Sequence, residues 1–414
     1  MNCFFLGVFA SWRELPKSES KAKIYGSHFT AILMPTFPRF APAIQTLRSS
    51  VYAGARFKAE LDPIPLHIGD TWMEPPAGCR MEDFRVADHP GMHRYTPVAG
   101  LPALRERIAE LQTARTGLQT SRRQVLVTAG ATSGLAAAVG ALVAPGEEVL
   151  LAAPYWPLIA GAVRAFNAEP IAVPLMTDVD SAEAAVACFE RLRSERTAAV
   201  YWNTPHNPTG RVMPREWLTA LSDWATSHDL WILSDEVYED YVYAGEHVHT
   251  RPLAPEHTIA AHSFSKSYGM TGNRCAYLAG PADAMEAIQR ITTNLHYSAC
   301  TASQLAALKA LDGPGQSWAD AAREQYAELG RHAAAALGLP APEGSTFLFP
   351  EVSSALDERG LPGLLSDLAE RGVLVAPGPT FGPYPEHLRL CFTSAEPDAV
   401  RRGIDILAER LGKR

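Results

Sequence analysis

A chain of 414 residues is too long for one simple core, so two domains built around a common sheet are the natural expectation. Hydrophobic residues at 47% and charged residues at 20% describe an ordinary soluble globular protein, and a formal net charge of −8 argues against nucleic acid or an anionic membrane as the main partner. Six scattered cysteines with no CxxC pair suit a reducing cytosol and give neither a disulfide framework nor a metal site, and no apolar run approaches the ~20 residues that span a bilayer.

The opening MNCFFLGVFA is apolar but lacks a basic n-region and a clear cleavage site, a weak signal peptide at best. A second methionine, Met34, opens MPTFPRFAP, where core-like sequence begins, so residues 1–33 read as a disordered extension or an over-called start. Between 37 and 61, Ile44, Leu47 and Val51 recur at roughly helical spacing, ending before Pro63. LHIGDTWMEPP at 66–76 carries Gly69 and Trp72, the latter either a packed core residue or a substrate contact. HRYTPVAGLPAL at 93–104 carries Tyr95, which alone reads as a half-buried packing residue.

From Val125 the pattern becomes strand–helix alternation. VLVTAG, EEVLLAAP, EPIAVPL, AAVYWNTP and LWILSDEVY are strand-like, and the stretches between them are helical. Such alternation predicts a largely parallel sheet covered on both faces, with ligands at the carboxyl ends of strands. Gly130, Ala131 and Thr132 lie where the first strand passes into its helix, a turn whose free N–H groups and helix dipole favour an anion. No GxGxxG or Walker pattern indicates a nucleotide. Asp235 closes an apolar strand, where a carboxylate is costly to bury unless paired. His247 and His249 form an H-x-H with no third ligand evident, so no metal site is expected.

The stretch 262–277, HSFSKSYGMTGNRCAY, holds one lysine among small, hydroxyl and glycine residues, with apolar runs on either side. Apolar surroundings and a second cation, Arg274, would lower the pKa of Lys266, as a Schiff-base lysine requires. Ser263, Ser265 and Arg274 offer donors suited to a phosphate. These residues fit a cofactor with both an aldehyde and a phosphate, and a protonated pyridine nitrogen would pair Asp235. Further on, Arg389 lies between apolar residues of HLRLCFT, a costly place for a guanidinium without an anion.

The run S-F-S-K-x-x-G-M-x-G-x-R resembles the cofactor-lysine signature of the class I/II aminotransferases, pyridoxal-phosphate enzymes of fold type I. NTPHNPTG at 203–210 is similar to that family's N-x-P-x-N-P-T-G at every fixed position. The resemblance extends over about 37–411 and implies a role for each matching residue. Lys266 carries pyridoxal 5'-phosphate as a Schiff base and serves as general base, while Asp235 meets the pyridine nitrogen. Asn207 and Tyr238 reach the phenolic oxygen. Gly130, Ala131, Thr132, Ser263, Ser265 and Arg274 take the phosphate, joined by Tyr95 from a neighbouring subunit. Trp156 stacks on the ring, and Arg389 and Gly69 receive the substrate carboxylate, with Asn207 and Trp156 also facing substrate. Gly69 is followed by Asp70, Thr71 and Trp72 in place of the family's Gly-Glu/Gln-Pro, so the mouth of the site departs from the pattern. Asn294 stands near the point where animal-type aspartate enzymes place an arginine for a distal carboxylate.

The resemblance thus implies an α/β protein of fold type I. Its plan is an N-terminal extension at 1–36, a large cofactor-binding domain at 85–300, and a small α+β domain from 37–84 and 301–414. It implies a cytoplasmic homodimer with shared sites, binding no nucleic acid or membrane, that moves the α-amino group of an L-amino acid to a 2-oxo acid. The alternative keeps the cofactor and changes the reaction to elimination, decarboxylation, cyclisation or oxidation, since the cofactor supplies the electron sink in each case. A DNA-binding sensor on this fold has no room for a helix-turn-helix module ahead of residue 37. Tyr95, Trp72, Trp156 and Asn294 hint at apolar or aromatic substrates.

Overall fold

The alternation folds as layered α/β structure, seen in a computed structural model that describes residues 40–47, 62–177 and 179–413. The extension at 1–36 lies outside those residues, as does most of the helix expected across 37–61. The part of it that is described, Pro42–Thr46, is a short 3-10 helix. In chain order follow α1 (Pro102–Thr116), β1 (Val125–Thr128), α2 (Ala131–Leu142), β2 (Glu148–Ala153), α3 (Pro157–Ala165), β3 (Glu169–Pro174), α4 (Ala182–Leu192), β4 (Thr197–Asn203), α5 (Arg215–Ser227) and β5 (Trp231–Asp235). Then come β6 (Thr258–Ser263), the single turn α6 (Phe264–Ser267), β7 (Ala276–Ala279), α7 (Ala282–Leu295) and α8 (Thr301–Asp312). The C-terminal part adds α9 (Gly315–Leu337), β8 (Phe347–Leu348), α10 (Gly360–Glu370), β9 (Ala376–Pro377), β10 (Leu388–Cys391) and α11 (Pro397–Arg410).

Seven strands form one sheet in the order β1-β7-β6-β5-β4-β2-β3. The pairs from β6 through β3 are parallel, and β7 runs antiparallel to both β6 and β1. β2 and β6 are buried along their whole length, which is why they read as continuous apolar runs rather than alternating ones. Successive residues serve opposite layers. Leu151 and Tyr201 face the core shared with α2, α3 and α7, whereas Leu150, Val200 and Trp202 face the one shared with α4 and α5. Each fully buried Leu or Val there contributes ~1.5–3 kcal/mol relative to exposure.

The second sheet is small and antiparallel, in the order β8-β10-β9. It shares a core with α9, α10 and α11 through Phe347, Leu390, Leu364 and Ile404. The segment around Leu66 joins this body, since its carbonyl accepts the Cys391 N–H at 2.7 Å and Ile64 bridges to Val373. Chain far apart in sequence thereby brings Gly69 and Arg389 close to the large sheet.

Candidate active site

Three neighbouring strands deliver the polar end of the site. β4 ends at Asn203, β5 at Asp235 and β6 at Ser263, and Asn203 lies directly across the ladder from Asp235. Asn203 Nδ2 donates to the Asp235 carbonyl at 2.7 Å, and its Oδ1 accepts the Asn207 N–H at 2.6 Å, so one side chain ties the 203–210 loop to the neighbouring strand. The loop closes at Gly210, whose φ of +75° and close approach to the Phe347 carbonyl exclude a side chain. One helical turn past β6 stands Lys266.

These residues line a cavity of about 320 Å³. Of the residues singled out by sequence, Gly69, Ala131, Thr132, Trp156, Asn207, Asp235, Tyr238, Ser263, Ser265, Lys266, Arg274 and Arg389 all border it. Gly130 touches it indirectly: at φ +86° it packs against Arg274, and a Cβ there would lie 2.3 Å from Nη2. Tyr95 is not brought in. Its ring is 87% exposed and leans on Tyr297 at 4.9 Å, beside a separate surface hollow.

Lys266 donates from Nζ to the Gly69 carbonyl. Burial lowers its pKa below the ordinary lysine value, with Arg389 and Arg274 pushing the same way and Asp70 opposing. Asp235 is pushed up to about 6 by burial, held back by a hydroxyl bond from Tyr201. Arg389 is 1% exposed, with its guanidinium 4.4 Å from the Phe347 ring centre and 4.9 Å from that of Phe381. Its Nη1 donates to Asn207 Oδ1 at 3.1 Å and its Nη2 to the His67 carbonyl. His67 is lowered to about 4 by burial and by that neighbouring cation.

At the other end, Ser265 Oγ is buried with no hydrogen-bond partner among the described residues. Arg274 has no carboxylate partner among them, and the first turn of α2 adds free backbone N–H groups. An orphaned hydroxyl, a guanidinium that spends only Nη1 on the Thr271 carbonyl at 2.9 Å, and a helix N-terminus at one end of a cavity are what a phosphate needs. A desolvated amine and a buried carboxylate farther in suit an aldehyde and a ring nitrogen. The chain therefore fits pyridoxal phosphate.

Of the unusual mouth, Asp70 does border the cavity, whereas Thr271, Ile68, Leu158 and Phe347 on its wall and Tyr201 behind it were missed by sequence reading. Tyr201 alone had a readable signal, lying two residues before Asn203 and hence on the same face of its strand. Trp72 packs edge-on against Tyr326 at 5.5 Å and does not border the cavity. Asn294 is exposed on α7, bonded to the Arg290 carbonyl. The H-x-H does gain acidic neighbours, which corrects the expectation of no third ligand. Glu236, Glu239, His247 and His249 each bring a ligand atom within 4.8 Å of the others. Glu236 Oε2 accepts from His247 at 3.0 Å and His249 at 2.7 Å, while Arg115 lies 3.0 Å from Glu239, so hydrogen bonds and a cation already compensate these carboxylates.

The family model described as aminotransferase class I and II matches residues 64–407. The chain is 32% identical to the aspartate/prephenate aminotransferase of Thermus thermophilus, over 89% of this chain and 98% of that one. It is 34% identical to an arginine–pyruvate transaminase of Pseudomonas aeruginosa, over 78% and 84% respectively. Among solved structures, an aspartate aminotransferase from Thermus thermophilus with maleate superposes with a TM-score of 0.80 at 28% identity, covering 90% of this chain and all of that one.

Proposed function

The chain belongs to the class I and II aminotransferases, and on that premise we propose which residues do the work and which donors the site takes. The activity is transfer of an α-amino group from an amino acid to a 2-oxo acid, and the cofactor is pyridoxal 5'-phosphate. Bound there, the cofactor supplies a protonated pyridine ring that draws electrons from the substrate Cα. Ser263, Ser265, Arg274 and the α2 N-terminus with Gly130, Ala131 and Thr132 bind its phosphate. Asp235 pairs with the ring nitrogen, Asn207 and Tyr238 hold the phenolic oxygen, and Trp156 covers one face and keeps water off it. Lys266 holds the aldehyde through Nζ, and once displaced its neutral amine takes the Cα proton. Its lowered pKa favours that neutral state. Arg389 grips the α-carboxylate with two N–H groups, while Gly69 lets the substrate lie against backbone.

The relatives are named for aspartate, prephenate and arginine, so family membership leaves the donor open. We assign this chain donors with apolar or aromatic side chains. Ile68, Leu158, Trp156 and Phe347 line the cavity, and its only lining cations among the described residues, Lys266, Arg274 and Arg389, all have other tasks. The observation that carries the reading is the convergence of Lys266, Asp235 and Arg389 on one cavity. The test is the visible spectrum of the purified protein as amino acids are added singly, with products identified. Bleaching by phenylalanine, leucine or tyrosine with release of the matching oxo acid is expected. Response to aspartate and glutamate alone would overturn the donor assignment.

We also read the molecule as a cytoplasmic homodimer in which Tyr95 enters the partner's site. Support comes from the exposed aromatic and apolar patch of Tyr95, Tyr297 and Leu295. No helix among the described residues is long and apolar enough to cross a membrane.

A further inference from the structure

Asp235 presents its two oxygens differently. Oδ2 accepts the hydroxyl of Tyr201 at 2.8 Å, whereas Oδ1 has only a long contact from the Val237 N–H at 3.4 Å. Asp235 borders the cavity and Tyr201 does not, so the tyrosine stands behind the carboxylate on the protein side. Tyr201 is fully buried on β4 among Leu151, Leu233 and Ala261. In that setting a phenylalanine would bury as much apolar surface without a hydroxyl that needs a partner. Burial also keeps the phenol protonated, raising its pKa well above 10, so it acts as a donor.

We propose that Tyr201 is a positioning residue for the transamination: its hydroxyl occupies Asp235 Oδ2, leaves Oδ1 toward the cavity, and keeps the carboxylate ionised so that the proton stays on the cofactor's ring nitrogen. This rests on the assignment of Asp235 to that nitrogen. A hydrogen bond to the charged form of an acid favours that form. Without it, the burial that already pushes Asp235 up to about 6 acts unopposed by the tyrosine, and the shared proton moves toward the carboxylate. A neutral pyridine is a poorer electron sink, so Cα proton removal slows while substrate binding through Arg389 is untouched. The other groups near Asp235 are His262 on β6, Glu236 and Tyr238 beyond β5, and Lys266, none of which changes in the test.

The test uses holoenzyme reconstituted with pyridoxal phosphate labelled with ¹⁵N in its ring. In the wild type at neutral pH the ¹⁵N shift should be that of a protonated pyridine, held by the ionised Asp235 carboxylate. In Tyr201→Phe it should move toward the unprotonated value, with kcat down roughly tenfold or more, KM for the donor nearly unchanged, and cofactor affinity weakened by a similar factor. Asp235→Ala separates the two assignments. If D235A leaves the shift and cofactor affinity intact, the reading of Asp235 falls. If D235A abolishes both but folded Y201F matches wild type, the role of Tyr201 falls while that of Asp235 stands. An unprotonated ring in the wild type overturns the proposal without recourse to any variant.

Discussion

Lys266 and Arg389 are basic groups buried in the site, and both are anchored on carbonyls of one short segment, Gly69 and His67. Lys266→Ala removes the only lining amine among the described residues, and turnover should fall by ~10²–10⁴-fold with loss of the lysine-bound cofactor band in the visible spectrum. Arg389→Lys keeps the charge but loses the planar two-pronged grip, so KM for the amino donor should rise about 10–100-fold in steady-state assays. The motifs made these residues legible, because each sits in a short run whose chemistry can be read locally. Phe347 and Tyr201 were not legible in that way. Phe347 flanks Arg389 from the paired strand β8, far away only in sequence, and the hydroxyl of Tyr201 finds Asp235 across a ladder that local sequence does not specify.

The strand–helix alternation from β1 to β5 was readable because both faces of the sheet are buried and the helices between strands are amphipathic. The antiparallel entry of β7 was not, since strand direction depends on a connection rather than on composition. At the turn into α2, Gly130→Ala should displace the Arg274 guanidinium and force φ +86° on a residue with a Cβ. Cofactor affinity, measured by titrating the apo form, should drop about tenfold or more, with a cost of ~1–3 kcal/mol in stability. The loop after β4 buries His206, whose pKa falls to about 3 through burial, countered by a backbone bond. A histidine depressed below its unfolded value adds stability that is complete above pH ~6.5 and is lost as pH drops toward 3. Thermal melts should show this acid slope, and His206→Asn should flatten it.

On the scale of the whole molecule, sequence put the chemistry at the carboxyl ends of the strands without showing how the large sheet and the C-terminal body meet. They meet through the segment at 64–69, which is hydrogen-bonded to the C-terminal body and offers its carbonyls to the site. If Tyr95 enters a partner's site, light scattering should give twice the mass of the 44.9 kDa chain, and Tyr95→Phe should weaken cofactor binding about tenfold. A monomer with full activity would rule that arrangement out. The two carbonyls have one more consequence. His67 and Gly69 are alternate residues of one strip of backbone, and the carbonyl of each accepts from a basic group of the site. A shift of that strip would therefore carry the Lys266 amine and the Arg389 guanidinium together. The strip is thus a common footing for both ends of the site, and the spacing of the two basic groups is set by two residues of backbone.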